Sequence, residues 1–229
     1  MSRETMMKFF PRKIILALSV TWGLILLTGT LFPIQAQLAA PASDLEDIVQ
    51  LNFKRPTVSP DQGSPTGRQE GAGSHSSQCQ LEPTKTTPLV ALVPQETGTD
   101  GTSSYVWGKT TVPHPAFWFY VAYPPETHVM FELQDEEEKE IYTTSFILKG
   151  TPGVVSVTLP PTIQLETGRR YLWYFYVFCH SQDSPDDFVS GWVERVALSP
   201  ALESQLAQAK AIQRVALYAD SGIWQDAIT

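Results

Sequence analysis

An antiparallel β-sandwich of the immunoglobulin or fibronectin type, followed by a short helical tail, is the fold class this sequence predicts. Three observations carry the prediction. Eight short apolar runs, spaced about ten residues apart, are separated by turn residues. Of the 25 aromatic residues, 18 lie between Tyr105 and Trp192, inside those runs, where strand structure favours them. After Ser199 the spacing of apolar residues changes from two to that of a helix.

The chain opens on a segment that reads as a secretory signal, residues 1–36. Lys8, Arg12 and Lys13 precede an apolar run from Ile14 to Leu31. Pro33 then breaks the run before Ile34-Gln35-Ala36, a small-residue cleavage site, with Ala40-Pro41-Ala42 as a second. The alternative is an uncleaved anchor, since a run of this length just spans a bilayer. Cleavage predicts a soluble protein of the periplasm or the extracellular space. The net charge of the whole chain is -8. Loss of residues 1–36 leaves 12 basic against 23 acidic residues, a net of -11. Such a charge repels phosphate backbones, so nucleic acid is an unsuitable partner.

Residues 37–88 form the next segment. Between Asn52 and Pro88, 19 of 37 residues are Pro, Gly, Ser or Thr, too little apolar surface to offset the entropy of ordering. The expectation is a flexible or loosely docked leader. The sandwich occupies residues 89–198. Its strands are expected at Leu89–Val93, Ser104–Lys109, Ala116–Tyr123, Val129–Asp135, Ile141–Leu148, Val154–Leu159, Arg170–Cys179 and Phe188–Leu198. Within it, Leu165-x-x-Gly168-x-x-Tyr171 has the spacing of a tyrosine corner, in which a Tyr at a strand start bonds to upstream backbone.

Residues 199–229 are the tail. Ser199 is placed to cap a helix with Pro200 at its first position. Leu202, Leu206, Ala209, Ile212, Ala216 and Ala219 then form one apolar face, closed by Gly222. Gly222-Ile223-Trp224-Gln225-Asp226-Ala227 is similar to the inter-helix turn of a tetratricopeptide repeat. A second helix from Ile223 is under two turns long, a truncated half repeat.

Chemistry-bearing patterns are sparse. The four histidines show no i, i+4 pair, and HExxH, CxxC and Gly-x-Ser-x-Gly do not occur. Two cysteines are too few for a zinc finger or an iron–sulfur cluster. Neither a cofactor nor a metal is expected. The run Asp135-Glu136-Glu137-Glu138-Lys139-Glu140 reads as a solvated hairpin loop rather than a cation site. Asp183-Ser184-Pro185-Asp186-Asp187, beside His180, reads as a turn rather than a weak metal site. Cys79 and Cys179 are expected to form a disulfide, because an exported chain meets an oxidising compartment and only one intramolecular pairing exists.

The aromatic runs Phe117–Tyr120 and Tyr171–Phe178 put rings on both faces of a strand. One set enters the core; the other needs cover, from the tail helix, the leader or a partner. Trp118, Tyr120, Trp173 and Phe175 are the residues expected on a binding face. The sequence therefore predicts a non-catalytic protein-interaction module of the cell envelope. A carbohydrate- or envelope-polymer-binding domain using that aromatic face is the alternative, and an unrecognised hydrolase the third reading.

Several segments in combination resemble a known family. They are Phe117-Trp118-Phe119-Tyr120-Val121-x-Tyr123, Glu132-Leu133-Gln134-Asp135, and Leu165-Glu166-x-Gly168-x-x-Tyr171-x-Trp173. Cys179, Gly191-Trp192-Val193-x-Arg195-Val196, and Gly67-Arg68 through Gly71-x-Gly73 to Cys79 complete the set. The resemblance is to the cyanobacterial family catalogued as domain of unknown function 928, over roughly Pro65 to the end. It implies no activity. It does imply a tail that continues for some tens of residues past the Gly-Ile-Trp-x-Asp-Ala motif.

Overall fold

The computed structural model describes residues 52–54, 66–71, 89–98, 101–150 and 152–229. The expected signal segment, most of the leader and Cys79 lie outside the described residues. Among these described residues nine strands and three short helices follow in order: β1 Leu89–Ala91, β2 Gln95–Thr97, β3 Ser104–Thr110, β4 Ala116–Val121, β5 His128–Gln134, β6 Glu140–Ile147, β7 Gly153–Thr158, β8 Arg170–Phe178, β9 Asp187–Arg195, α1 Pro200–Gln208, α2 Ala211–Asp220 and α3 Trp224–Ala227.

The strands form a three-stranded sheet, β1-β4-β7, and a six-stranded sheet, β2-β3-β9-β8-β5-β6. This is the mainly β, sandwich-like arrangement that the spacing of apolar runs predicts; its immunoglobulin- or fibronectin-like form is not established by it. Between the sheets lies an aromatic core. Phe119 stacks on Phe175 at 4.2 Å, Phe117 meets Phe131 at 4.8 Å, and Phe119 sets its edge to Trp173 at 5.7 Å. Alternation in β4 and β8 puts Phe117, Phe119, Trp173 and Phe175 inward from opposite sheets. Such pairs add to the area they bury, about 1 kcal/mol each.

β2 is the strand that the sequence did not announce. Its residues, Gln95-Glu96-Thr97, carry no apolar alternation, so it exists only through pairing with β3. Gly101, at φ +69°, closes the turn between them.

Residues 66–71 of the leader pair with strands of both sheets. Thr66 bridges Tyr105 of β3, Arg68 bridges Ser190 of β9, and Glu70 bridges Val90 of β1. β3 and β9 run parallel and pair from Trp107 and Trp192 onward. Below that point they part, and residues 66–68 lie between them. The segment then crosses to the other sheet, where Gly71 N–H donates to Leu89 O and Ala91 N–H to Gln69 O, each at 2.8 Å. Only glycine fits the wedge. A Cβ at Gly67 would sit 2.6 Å from Ser190 O, and one at Gly191 2.5 Å from the Trp173 ring. Of the two expectations for the leader, flexible or loosely docked, residues 66–71 follow the second: they lack a core of their own, and strand backbone on both sides supplies their hydrogen bonds.

The tail also departs from expectation. A single helix from Ser199 to Gly222 is replaced by α1 and α2, separated where Ala209 and Lys210 turn extended. Ser199 caps α1 as its spacing predicts, with Leu202 N–H donating to its hydroxyl at 3.2 Å. Gln213 accepts the Lys210 N–H at 2.9 Å and restarts the helix. The break lets Leu202 and Leu206 meet Leu217, Tyr218 and Ile223 in one cluster, burial that a straight helix could not provide. Gly222, at φ +73°, ends α2, with Ile223 N–H reaching back to Tyr218 O at 2.9 Å.

At the turn before β8, the Tyr171 hydroxyl accepts the Glu166 N–H at 2.9 Å. Gly168 takes φ +83°, and its N–H donates to Arg195 O at 2.6 Å. Arg195 returns two bonds, to Leu165 O at 2.6 Å and Thr111 O at 3.3 Å. Leu165 N–H bonds Pro113 O, in the loop that leads into β4. Tyr171→Phe leaves the Glu166 N–H without its acceptor and is expected to cost about 1 kcal/mol. A denaturant midpoint equal to wild type would mean that water replaces the phenol at no cost.

Candidate functional site

The strands of the six-stranded sheet present their second face outward, and here the side-chain register matters. Trp173 and Phe175, expected on a binding face, are 0% exposed and belong to the core. Their neighbours Tyr174, Tyr176 and Phe178 carry the outer face instead, half-buried. In an uninterrupted aromatic run the period of two is invisible, and a shift of one residue exchanges the faces. Trp118 and Tyr120 do point away from the core, on the outer side of the three-stranded sheet. Trp118 is tied down there, its indole N–H donating to Thr229 Oγ1 at 3.2 Å.

The outer aromatic face is a continuous patch. Tyr174 and Tyr176 are stacked at 5.5 Å with their planes 7° apart. Phe188 of β9 lies 6.1 Å from Tyr176 and 6.4 Å from Tyr174, and Phe178 is 6.4 Å from Tyr176. Two guanidinium groups frame it. Arg68 sits 4.8 Å above Phe188, and Arg170 5.7 Å from Trp192. Cation–π contacts of this kind use up the open faces of those two rings. Glu132 stands beside Tyr174 in register. Burial, then the nearby Glu138 and Glu132 carboxylates, raise the Tyr174 phenol above its usual range. Burial raises Tyr176 further, with help from Glu132 and Tyr174. Both phenols are therefore neutral hydrogen-bonding groups at any physiological pH.

Arg68 anchors one end of this face to the interior. Its guanidinium meets the buried Asp187 carboxylate at 3.5 Å, which also accepts Tyr123 OH at 2.8 Å and its neighbour's N–H, Phe188, at 2.9 Å. Asp187, 3% exposed, is the one buried acid among the described residues. The sequence placed it in a surface turn. The signal that distinguishes it is its position as first residue of β9, where alternation turns the side chain inward.

The adjoining turn is organised by Asp186. Its Oδ2 accepts the N–H groups of Cys179 at 2.6 Å and His180 at 3.2 Å, while Oδ1 meets His180 Nδ1 at 2.5 Å. These bonds use the oxygens that a cation would need, and among the described residues no group of three His, Cys, Asp or Glu is placed to hold a metal. The acidic run is likewise a hairpin. Asp135 Oδ1 accepts the N–H of Glu137 and Lys139, and Glu136 and Glu137 pair with Arg170 and Arg169. Cys179 directly follows β8 and packs against the core; Cys79, its expected partner, lies outside the described residues.

A cavity of ≈ 510 Å³ opens between Ala116 and Thr158 on one side and Arg214, Val215 and Tyr218 of α2 on the other. Its one carboxylate, Asp226, is engaged by Thr110 Oγ1 at 2.6 Å, Thr111 N–H at 3.0 Å and Thr111 Oγ1. Gln225 also lines it, but the side-chain amide is sealed from solvent and has no hydrogen-bond partner. Trp224 Nε1 donates to Leu92 O at 2.6 Å, and Phe53 sets its edge to the Trp224 ring at 4.9 Å. The Trp and Asp of the repeat-like motif thus clamp the tail to the sandwich. His114, whose Nδ1 lies 2.8 Å from Ile163 O, and Arg214 also contribute to the polar lining of the cavity.

These features define a class: a β-sandwich-like domain with a clamped helical tail and an aromatic outer face. The family model described as Domain of Unknown Function (DUF928) matches residues 70–229, and the chain belongs to that family. No curated protein matches it.

Burial raises the Asp186 carboxyl, but hydrogen bonds from the Cys179 N–H, the His180 ring and the His180 N–H outweigh it and hold the acid below the ordinary 3.8. A folded-state pKa below the unfolded one stabilises the fold at higher pH, and that contribution is lost as pH falls from 3.8 through the folded value. Denaturation midpoints measured against pH are expected to separate wild type from Asp186→Asn at neutral pH and to converge at the acid end. A separation that stays constant into acid would show that the charge of Asp186 plays no part.

Proposed function

We propose that this protein is an exported, non-catalytic interaction module that binds another protein of the cell envelope through the outer aromatic face of its six-stranded sheet. The observation that carries the reading is the packed row Tyr174, Tyr176, Phe188 with Arg68 and Arg170 laid over flanking rings. Tyr, Trp and Arg are the side chains that dominate protein interfaces, since they offer large rigid area with a polar tip. A sugar-binding platform instead needs ring faces open to the ligand. Here the arginines lie over two rings and the tyrosines stack on each other, which favours a protein partner over a carbohydrate. The Lys8–Ala36 pattern supports export.

Tyr176→Ala and Phe188→Ala are expected to abolish capture of one defined envelope protein from extract, each with only a modest fall in unfolding midpoint. A glycan array should stay silent. Specific glycan binding that the same two substitutions remove would transfer the face to the carbohydrate reading, and capture unaffected by either would end the proposal.

Export also supports the pairing of Cys79 with Cys179. The closed loop of about 100 residues would constrain the unfolded chain by about 4–5 kcal/mol at most in the chain-entropy model. Non-reducing peptide mapping of protein from the exported fraction is expected to find the linked peptides, with an N-terminus near Gln37 or Ser43. Quantitative alkylation of both thiols without reductant would show that the bridge does not form, and an intact Met1 in the membrane fraction would favour the anchor.

A further inference from the structure

The two sheets end, on the side opposite the docked leader, in β6 and β7. Strand pairing is one-sided for both. At the other margin of the three-stranded sheet, β1 is covered by Gln69 and Gly71. Among the described residues β7 has no such cover, and the amides it turns away from β4 can be identified from hydrogen-bond parity. Leu159 N–H donates to Pro115 O, and Phe117, Phe119 and Val121 lie opposite Val157, Val155 and Gly153. In an antiparallel ladder the bonding residues alternate. Residues 153, 155, 157 and 159 therefore bond β4, and Val154, Ser156 and Thr158 turn their N–H and C=O groups to the open edge. The same alternation makes Trp118 O, on the other side of β4, the acceptor for Leu92 N–H in the β1 segment.

Sheet edges are ordinarily blunted by a charge, a proline or a bulge. β6 has two such devices: Glu140 at its start, and an irregular register opposite Leu133 and Gln134. β7, Gly-Val-Val-Ser-Val-Thr, has none. Val154 is 57% exposed, the most open of the large apolar residues described. Val155 packs against the core but is only partly buried, so its flank remains to be covered.

We infer that β7 is a self-pairing edge, joining two copies of this chain through an antiparallel β7–β7 contact about a two-fold axis at Ser156. The strand is self-complementary in three respects. Centring on Ser156 faces Val154 with Thr158 of the copy and Ser156 with itself, and these are the residues whose backbone groups are free. Each facing pair exchanges two hydrogen bonds. On the core side Val155 meets Val157 of the copy, which extends the apolar layer, and on the outer side β-branched Val154 meets β-branched Thr158. No charge falls within the strand, so the acidity of the chain places no carboxylate opposite another there. The result is one continuous six-stranded sheet from two three-stranded ones, on an edge separate from the outer aromatic face.

Sedimentation equilibrium of the purified full chain, from micromolar to sub-millimolar concentration, tests this. A reversible monomer–dimer equilibrium is expected. Val154→Lys, at an exposed position, and Ser156→Pro, which removes an N–H not bonded to β4, should each raise the dimer dissociation constant at least tenfold. Ser145→Lys on the β6 edge should leave it unchanged. Hydrogen exchange at Val154, Ser156 and Thr158 should slow as concentration rises. If Ser156→Pro fails to fold, Val154→Lys alone decides. The proposal is overturned by a monomer throughout the range, by a dimer sensitive to Ser145→Lys but not Val154→Lys, or by amides already protected in the monomer. That last result would place a segment of the same chain on the edge.

Discussion

The architecture depends on the insertion of residues 66–71 between β3 and β9. Two parallel strands that pair from Trp107 and Trp192 onward would leave unbonded backbone where they part, and the inserted segment satisfies it. Gly67 makes the approach possible because any side chain would meet Ser190 O and the Val106 side chain. The Arg68–Asp187 contact then fixes the segment electrically, with Tyr123 as a second partner for the same carboxylate. A buried carboxylate without partners would oppose folding, so the leader and the acid at the start of β9 stabilise one another. Through Gly71 and Gln69 the same segment reaches β1, so a single stretch of chain links both sheets.

That arrangement also shapes the outer surface. Arg68 is held by Asp187 on one side and lies over Phe188 on the other, so the interior acid positions a cation on the aromatic face. Arg170 is placed comparably, between Glu136 of the acidic hairpin and Trp192. Turns that look like solvated loops by composition therefore hold the frame of the face in position, which rests on the strands behind it and not on flexible loops.

The helical tail is held by an apolar cluster with Val196 and Leu198 and by hydrogen bonds at its far end. Asp226 binds Thr110 and Thr111 at the end of β3, and Trp224 binds the Leu92 carbonyl beyond β1. These contacts reach both sheets, and Phe53 of the early leader packs on the same Trp224. Residues 52–54 and 66–71 of the leader, the sandwich and the tail are accordingly parts of one compact unit, Asp47–Thr229.

Period-two alternation in β5 and β7, the Leu-x-x-Gly-x-x-Tyr spacing, and the Ser-Pro helix start were legible in the sequence because each is a local pattern with a local cause. Eight of the nine strands and the cap of α1 follow from such patterns. What depended on tertiary structure lacked a local signal. Trp173 and Tyr174 are adjacent aromatics of similar character, and only the opposing Phe119 and Phe117 decide which enters the core. β2 is too short and polar to exist without β3, and residues 66–71 have no core of their own to bury. Asp187 differs from Asp186 and Asp183 only by one step into a strand, which turns its carboxylate inward. Sequence sets what each segment can do alone; the partner strand decides which face, which register and which acid the fold uses.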